Sequence, residues 1–244
     1  MSKSAEGADS KPSIIELVRL QMRNTQDGMT QRTNDFLSTA YMPALQKAGA
    51  GPIGAFGSMI AEGGPFTLLV VQLPDAAAWE AVGRKLREDK GFVKASEAYY
   101  GGPLQFVRAE TMLLRGFSTM PVIEVPPARA DKKTRIFELR TYESSNPRTL
   151  ARKIKMFDEG EIALFRKLNM TPVFFGEAIA GRNMPNLTYM LAYDDLTARE
   201  KAWTTFGAHP EWEKMKSQPG VSDAEIVSNI SNSILRPLPF SALR

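Results

Sequence analysis

Apolar and polar residues alternate along residues 135–142, a pattern that predicts a strand with one buried face. The segment Ser145-Asn146-Pro147 then supplies a helix cap, with proline at the first helical position. Beyond this cap, apolar residues recur at helical spacing and predict an amphipathic helix that ends near Asn169. The apolar positions are Leu150, Ile154, Phe157, Leu164, Phe165 and Leu168. A strand therefore leads into a helix.

Two β-rich runs follow, at residues 171–180 and 187–193. Gly181-Arg182-Asn183 lies between them and has the residue types of a tight turn. These runs therefore predict two strands that are adjacent in the chain and joined as a hairpin or by a short β connection.

A second helix is predicted after Asp194 or Asp195, either of which can cap it. Its apolar side carries Ala198, Ala202, Trp203 and Phe206. His209-Pro210 interrupts the helix, which resumes through Trp212. Residues 224–235 are predicted as the last strand, so the order of elements is β-α-β-β-α-β.

The first half of the chain follows the same order. Its predicted strands cover residues 14–22, 52–61, 66–73 and 104–114, and its predicted helices cover residues 33–48 and the segment after Pro74-Asp75. Pro43 falls inside the first of these helices, where a proline costs about 3 kcal/mol. We therefore expect a kink or an irregular turn at Pro43.

An internal repeat explains why the two halves share one order. Ile15-Glu16-Leu17 recurs as Phe137-Glu138-Leu139, and Phe56-Gly57 recurs as Phe175-Gly176. The offset of roughly 120 residues is that of a whole domain, far longer than a solenoid repeat. Glycine at the second position of the latter pair indicates a bulge or a close-packing point.

The repeat predicts the domain organisation. We expect a disordered tail over residues 1–12, a first repeat over 13–117, an exposed linker over 118–134 and a second repeat over 135–244. Each repeat would form a four-stranded antiparallel sheet with both helices on one face. The bare faces would then cover each other in an intramolecular sandwich or barrel, which gives an α+β fold.

Composition narrows the classes of function. The chain is 43% hydrophobic and 24% charged, with a net charge of +4, as in a soluble globular protein. The short basic run at Lys132, Lys133 and Arg135 falls in the expected linker, so we expect no nucleic-acid partner. The polar start offers no signal peptide and no membrane span. We expect a cytoplasmic protein, or an exported one if a targeting segment was removed from a longer precursor.

Two residue counts limit the chemistry. The chain has no cysteine, which excludes disulfides, thiolate nucleophiles and zinc–thiolate sites. His209 is its single histidine, which excludes a site built from several histidines. We therefore predict no metal and no tightly bound cofactor.

Several segments of the second half form an ordered set: Phe137-Glu138-Leu139-Arg140-Thr141-Tyr142, Phe175-Gly176, residues 189–193, residues 195–200, Trp203 and His209-Pro210-Glu211-Trp212. Together they resemble the NIPSNAP family. The resemblance implies two ferredoxin-like β-α-β-β-α-β repeats packed sheet to sheet as an intramolecular dimeric α+β barrel. It implies a protein of unassigned chemistry that binds a small molecule or takes part in an oligomeric assembly, and we expect a homo-oligomer. Related barrel families include cofactor-free monooxygenases, so the alternative is a cofactor-free oxygenase or isomerase acting on an aromatic molecule in the barrel cavity.

The ligand-pocket candidates are Glu138, Arg140, Tyr142, His209 and Trp212, and the ligand we expect is small and apolar or aromatic. Strand alternation places the first three on one face, where Glu138 is either salt-bridged or part of the polar wall of a cavity. His209 either begins a helix or contributes a polar group, and Trp212 either packs in the core or lines the pocket. The first half has Val18 and Leu20 at the corresponding strand positions and lacks the Pro-Glu-Trp element. Any site is therefore expected in the second half.

Overall fold

The computed structural model describes residues 11–25, 27–131 and 133–244. Most of the expected tail over residues 1–12, and Lys132 of the basic run, lie outside the described residues. The strands are β1 Ile14–Gln21, β2 Ile53–Ile60, β3 Phe66–Leu73, β4 Arg108–Gly116, β5 Ile136–Glu143, β6 Thr171–Ala180, β7 Asn186–Tyr193 and β8 Asn229–Pro237. The α-helices are α1 Met29–Phe36, α2 Met42–Ala48, α3 Ala76–Glu88, α4 Lys90–Tyr100, α5 Pro147–Met156, α6 Ile162–Lys167, α7 Leu196–Gly207, α8 Pro210–Lys216 and α9 Asp223–Ile226.

The strands form one closed antiparallel barrel in the order β1-β3-β2-β8-β5-β7-β6-β4. The two halves of the chain meet where β2 pairs with β8 and where β4 pairs with β6. Of the two arrangements open from the sequence, the structure is thus the barrel and not the sandwich. Hydrogen bonds between strand edges close it, which leaves no edge of the sheet unpaired. The α+β class is confirmed.

Strand alternation divides the side chains between the barrel interior and the layer of helices outside it. On β5, Phe137 and Leu139 belong to the interior core, which takes residues from both halves. Ile136 and Tyr142 belong to a second core between the sheet and the helices of the second half. Glu138 and Arg140 lie on the same face of β5 as Ile136 and Tyr142, because side chains alternate along a strand. The predicted shared face of Glu138, Arg140 and Tyr142 therefore points towards the helices.

In each half, a π-helical segment joins the first two α-helices. Leu37–Tyr41 lies between α1 and α2, and Phe157–Glu161 lies between α5 and α6. The irregularity expected at Pro43 is present immediately before it. Proline is not its cause, because the second half has the same segment with Ala163 at the corresponding place. The wider π turn instead tolerates the proline, whose missing N–H would otherwise interrupt the helical hydrogen bonds.

Two segments differ from the sequence prediction. Residues 224–228 do not continue the last strand, because Ser222 and Glu225 form a capping box that begins the short helix α9. The expected linker is not exposed along its whole length, since Met120 and Ile123 are buried. Ile123 enters the barrel core, while Met120 joins the core of the second half. Apolar burial therefore ties this segment to both halves.

Gly176 is a close-packing point at the β4–β6 closure. A Cβ at this position would lie 2.7 Å from the Cβ of Leu114 and 3.3 Å from the carbonyl oxygen of Arg115. We expect Gly176→Ala to lower the free energy of unfolding by about 1–3 kcal/mol, because the two strands would have to separate. Gly207→Ala is the matched control, since a Cβ there meets nothing within 4 Å. Urea unfolding of both variants measures the difference, and equal stabilities would contradict the close approach.

Candidate functional site

A fully buried carboxylate gathers four donors in the second half. Glu138 Oε1 accepts hydrogen bonds from Arg140 Nη1 (2.9 Å), Asn232 Nδ2 (3.0 Å) and Arg199 Nη2. Its other oxygen, Oε2, accepts from Trp203 Nε1 (2.8 Å). We call these five residues the Glu138 cluster. Its polar groups satisfy a carboxylate that could not be buried alone.

Three elements supply the cluster, and local sequence positions each of them. On β5, Glu138 and Arg140 are two residues apart and share a face. Asn232 lies on β8 directly opposite Arg140. Arg199 and Trp203 are four residues apart on α7, so they lie one above the other on one face of the helix. Asp195 caps this helix by accepting from the N–H of Ala198 (2.8 Å).

Charge keeps Glu138 ionised. Burial alone would raise the pKa of this carboxyl, but the hydrogen bond from Arg199 and the positive charge of Arg140 outweigh burial and lower it. Burial likewise opposes the charge of Arg140, yet the negative charge of Glu138 and the hydrogen bond to Tyr142 hold its pKa above the ordinary value. Glu138 is therefore an anchor for two guanidinium groups and a poor proton acceptor.

A short chain of phenols continues from Arg140. Arg140 Nη2 donates to Tyr142 Oη (3.1 Å), and Tyr189 Oη donates to Tyr142 Oη (3.0 Å). The Tyr189 ring stacks on Phe175 with centroids 4.8 Å apart. Burial raises the pKa of both Tyr142 and Tyr189, so the two phenols stay protonated at neutral pH.

A second buried ion pair lies beside these phenols. Lys153 and Glu161 are each 1% exposed, and Lys153 Nζ lies 3.2 Å from Glu161 Oε2 and 3.2 Å from Asp223 Oδ1. The ammonium group also lies 5.3 Å from the ring of Trp212 and 5.4 Å from that of Tyr142. Burial raises the pKa of Glu161, and the carboxylates of Glu161 and Asp223 hold the pKa of Lys153 up despite its burial.

Three buried polar atoms around Glu138 have no hydrogen-bond partner in the described part of the chain: Arg140 Nε, Arg199 Nε and Tyr193 Oη. Each carries a hydrogen that it can donate. Within the cluster, two guanidinium groups face one carboxylate, an excess of one positive charge; outside it, the exposed carboxylate of Glu200 lies 3.8 Å from Arg199 Nη1. The arrangement therefore suits an incoming hydrogen-bond acceptor, above all an anionic oxygen. The three donor atoms themselves are buried, while the neighbouring Asn232 is exposed and Trp203 is half-buried.

The structure separates the five residues predicted from the sequence. Glu138, Arg140 and Tyr142 form one hydrogen-bonded group. Trp212 is buried in the core and touches that group through Lys153. His209 stands apart as the N-cap of α8, where its Nδ1 accepts from the N–H of Glu211 (3.2 Å). No hydrogen bond joins His209 to Glu138, Arg140 or Tyr142.

Sequence reasoning missed Arg199, Lys153 and Glu161 and treated Trp203 as a core residue. A signal existed for Lys153, which lies three residues after Leu150 and four before Phe157. That spacing places it on the buried stripe of α5, where a lysine needs a partner. Glu161 follows Phe157 by four residues on the same stripe.

The described residues of the first half form no comparable group. Glu16, which corresponds to Glu138, is half-buried and accepts a hydrogen bond from Trp79 Nε1 (3.0 Å). Burial raises the pKa of Glu16, and no arginine lies two residues on, where Val18 stands. Polar groups that could orient a ligand beside the sheet are therefore concentrated in the second half.

Two features are absent from the described residues, 11–25, 27–131 and 133–244. Within these ranges, no group of three or more histidine, aspartate and glutamate residues is placed to hold a metal ion. No helix there has the length and apolar character needed to cross a bilayer.

Comparison with solved structures identifies the fold. A candidate monooxygenase from Lactobacillus acidophilus NCFM matches with a TM-score of 0.58 and 9% identity, over 93% of this chain and 94% of that one. An anthrone oxidase-like protein matches with a TM-score of 0.55 and 11% identity, over 94% and 93%. A NIPSNAP-like domain protein from Burkholderia xenovorans matches with a TM-score of 0.39 and 22% identity, over 44% and 88%. Because the first two structures are so low in sequence identity, their similarity shows a shared fold alone and does not extend to chemistry.

Sequence comparison identifies the family. A search of the curated proteins finds no match to this chain. The family profile that matches is that of NIPSNAP, and it covers residues 137–242, which include Glu138, Arg140, Arg199, Trp203 and Asn232. Residues 137–242 of the chain thus belong to the NIPSNAP family.

Proposed function

We propose that this NIPSNAP protein binds a small aromatic molecule with an anionic oxygen at the Glu138 cluster. The observation that carries the proposal is the set of three unpartnered donors, Arg140 Nε, Arg199 Nε and Tyr193 Oη, beside one excess positive charge. A buried donor without a partner is costly, and an acceptor on a ligand would remove that cost. An anionic oxygen would also balance the charge.

Each residue has a distinct role in this proposal. Arg140 and Arg199 orient the anionic oxygen, and Tyr193 donates to it. Glu138 binds no ligand itself but holds both guanidinium groups in place. Trp203, whose ring lies 4.4 Å from the Arg140 guanidinium carbon, supplies an aromatic wall for the ligand ring.

The proposal includes the domain organisation. We propose that residues 13–117 and 135–244 are two ferredoxin-like repeats joined by residues 118–134, and that the second repeat holds this site. The order β-α-β-β-α-β, which occurs in both halves once the interrupted helices are counted as single units, supports the division. Homo-oligomerisation stays a prediction that light scattering can test.

A cofactor-free oxygenase or isomerase is the second candidate function. The same donors would stabilise the anion that forms when an aromatic substrate loses a proton. The whole-length fold similarity to a candidate monooxygenase and an anthrone oxidase-like protein favours this alternative. Glu138 is a poor base because its pKa is lowered, so binding is the function that the geometry supports better. Turnover of a bound aromatic molecule, followed by absorbance, would favour the enzyme.

Calorimetric titration with salicylate and other aromatic carboxylates tests the binding proposal. We expect Arg140→Gln or Arg199→Gln to weaken binding of these acids at least about tenfold, because each removes a charged donor. Arg115→Gln is the matched control, since Arg115 lies on β4 and is 56% exposed. Phenol tests the charge requirement, because it offers a neutral ring and we expect it to bind more weakly. Salicylate binding that is equal in the wild type, Arg140→Gln and Arg199→Gln would contradict the assignment.

A further inference from the structure

One end of the barrel opens into a cavity of about 580 Å³ that shares only Asn232 with the Glu138 cluster. Strands from both halves of the chain line it, among them β1, β3, β5 and β8. On β5, the residues that line the cavity are Leu139 and Thr141, which lie on the interior face of the strand. Glu138 and Arg140 lie on the opposite face. The other end of the barrel core is filled by Ile123 and Leu243. We call the open end, with this cavity, the barrel mouth.

The floor of the barrel mouth is apolar. Leu17, Phe66 and Leu68 are buried there, while Met112 and Leu139 pack against the same core but are only partly buried. Two apolar side chains inside a barrel thus remain accessible from solvent. Covering such a surface with an apolar group is favourable by about 25 cal/mol per Å² of apolar surface removed from water.

Hydroxyl groups form the wall above this floor. Thr141 and Thr188 face each other across β5 and β7 with their oxygens 2.9 Å apart. Ser231 and Ser233 of β8 also line the cavity. A few polar groups above an apolar floor are the usual composition of a pocket for a small ligand, and the volume lies in the usual range.

The rim carries three arginines and two glutamates, an excess of one positive charge: Arg19, Arg108, Arg182, Glu62 and Glu110. Arg19 Nη1 and Arg182 Nη1 lie 3.3 Å and 2.7 Å from Glu110 Oε2. Arg108 is 64% exposed and lies 4.0 Å from the same carboxylate. Glu110 is therefore shared between arginines, and Arg108 is the cation it holds least closely.

We propose that the barrel mouth is a second binding site, for a small amphipathic carboxylate. The alkyl part covers Leu17, Met112 and Leu139, and the carboxylate lies at the rim beside Arg108 and Arg182. From Gln21 to Leu17, β1 descends four residues, or roughly 13 Å. That depth accommodates a medium-chain alkyl group with its head group at the rim.

Isothermal titration of the full chain with decanoate, decanol and decyltrimethylammonium tests the proposal. We expect decanoate to bind with one molecule per chain and the cationic probe to bind least, because the rim is positively charged. The double variant Arg108→Gln/Arg182→Gln should raise the dissociation constant for decanoate about tenfold and leave that for decanol within twofold. Arg84→Gln, on α3 and 54% exposed, is the control for a lost surface arginine.

A filling variant tests the location. Ser233→Phe places a ring in the cavity and should abolish binding of decanoate and decanol together. If that variant fails to fold, the methyl resonance of Met112 in the wild type supplies the readout, because decanoate should shift it on binding. Arg140→Gln should leave decanoate binding unchanged, which separates this site from the Glu138 cluster. Three results would overturn the proposal: no decanoate binding to the wild type, binding that the double variant does not weaken, or binding that Arg140→Gln weakens.

Discussion

Glu138→Gln is expected to destabilise the protein by about 3 kcal/mol and to lower its Tm by roughly 10 °C. The substitution keeps the size of the side chain but removes the charge that two guanidinium groups share. Arg140 and Arg199 have side chains that are 13% and 19% exposed, so water can hydrate them only in part after the change. That residual hydration places the effect at the lower end of the range for breaking a buried ion pair.

The loss at Glu138→Gln should depend on pH. Because the folded-state pKa of Glu138 is lowered, its contribution to stability is present above the ordinary carboxyl pKa of 4.5 and is lost as the pH falls through the folded-state value. Wild type and variant should therefore converge in acid. Denaturant unfolding at several pH values measures this. Glu16→Gln is the matched control in the first half and should cost about 1 kcal/mol or less, since its hydrogen bond from Trp79 can be kept.

An equal loss in Glu138→Gln and Glu16→Gln would contradict the role given to Glu138. It would mean that the two guanidinium groups find other partners or enough water when the carboxylate is gone. The proposed ligand site would then lose its anchor, because nothing else described here holds both Arg140 and Arg199.

The sequence predicted the face of β5 but not what covers it. Alternation is a local property, so Glu138, Arg140 and Tyr142 could be placed together without a structure. Arg199 and Trp203 come from α7, about sixty residues further along the chain, and their contact with Glu138 depends on how that helix crosses the sheet. No local pattern specifies such a crossing. A carboxylate on a covered strand face requires hydrogen-bond or charged partners, but the sequence does not identify which residues they are.

Similar limits apply to the fold. The repeat predicted two sheets with one bare face each, and this was enough to expect that they combine. The hydrogen bonds between β2 and β8 and between β4 and β6 depend on edge geometry, which hydrophobic periodicity does not encode. The linker was read from its prolines and charges, whereas the burial of Met120 and Ile123 depends on gaps that exist only in the folded barrel.

The two halves share an order of elements but differ in the polar residues between their sheets and helices. Where the second half has Lys153 and Glu161, the first half has Thr33 and Tyr41 at the places preceding and within its π-helical segment. Thr33 Oγ1 and Tyr99 Oη are hydrogen-bonded at 2.8 Å, and Tyr99 stacks on Phe36 with centroids 4.1 Å apart. Neutral and aromatic contacts therefore replace the buried ion pair. Among the described residues, the buried charged side chains are Glu138, Lys153 and Glu161, all in the second half. Their burial makes that half sensitive to pH and substitution.

Lys153→Met is expected to lower the free energy of unfolding by about 3–5 kcal/mol at pH 8, the range for removing one partner of a buried ion pair. Methionine fills the space of the lysine stem, so the loss comes from Glu161, which is left ionised and 1% exposed without its cation. The double variant Lys153→Met/Glu161→Leu should recover most of the stability, because it removes both charges. A thermodynamic cycle on the two single variants and the double variant measures the coupling.

The loss of stability caused by Lys153→Met should depend on pH. Burial already raises the folded-state pKa of Glu161, and without Lys153 that pKa should rise further. Protonation of Glu161 then stabilises the folded state at low pH, and this gain is lost as the pH rises from about 4.5 through the raised value. The penalty of the substitution should therefore shrink on acidification, by at most about 1.4 kcal/mol per pH unit. Two results together would show that Glu161 does not depend on Lys153 for its charge. The first is a loss of stability that stays constant between pH 5 and pH 8, a range in which most proteins are folded. The second is a double variant no more stable than Lys153→Met.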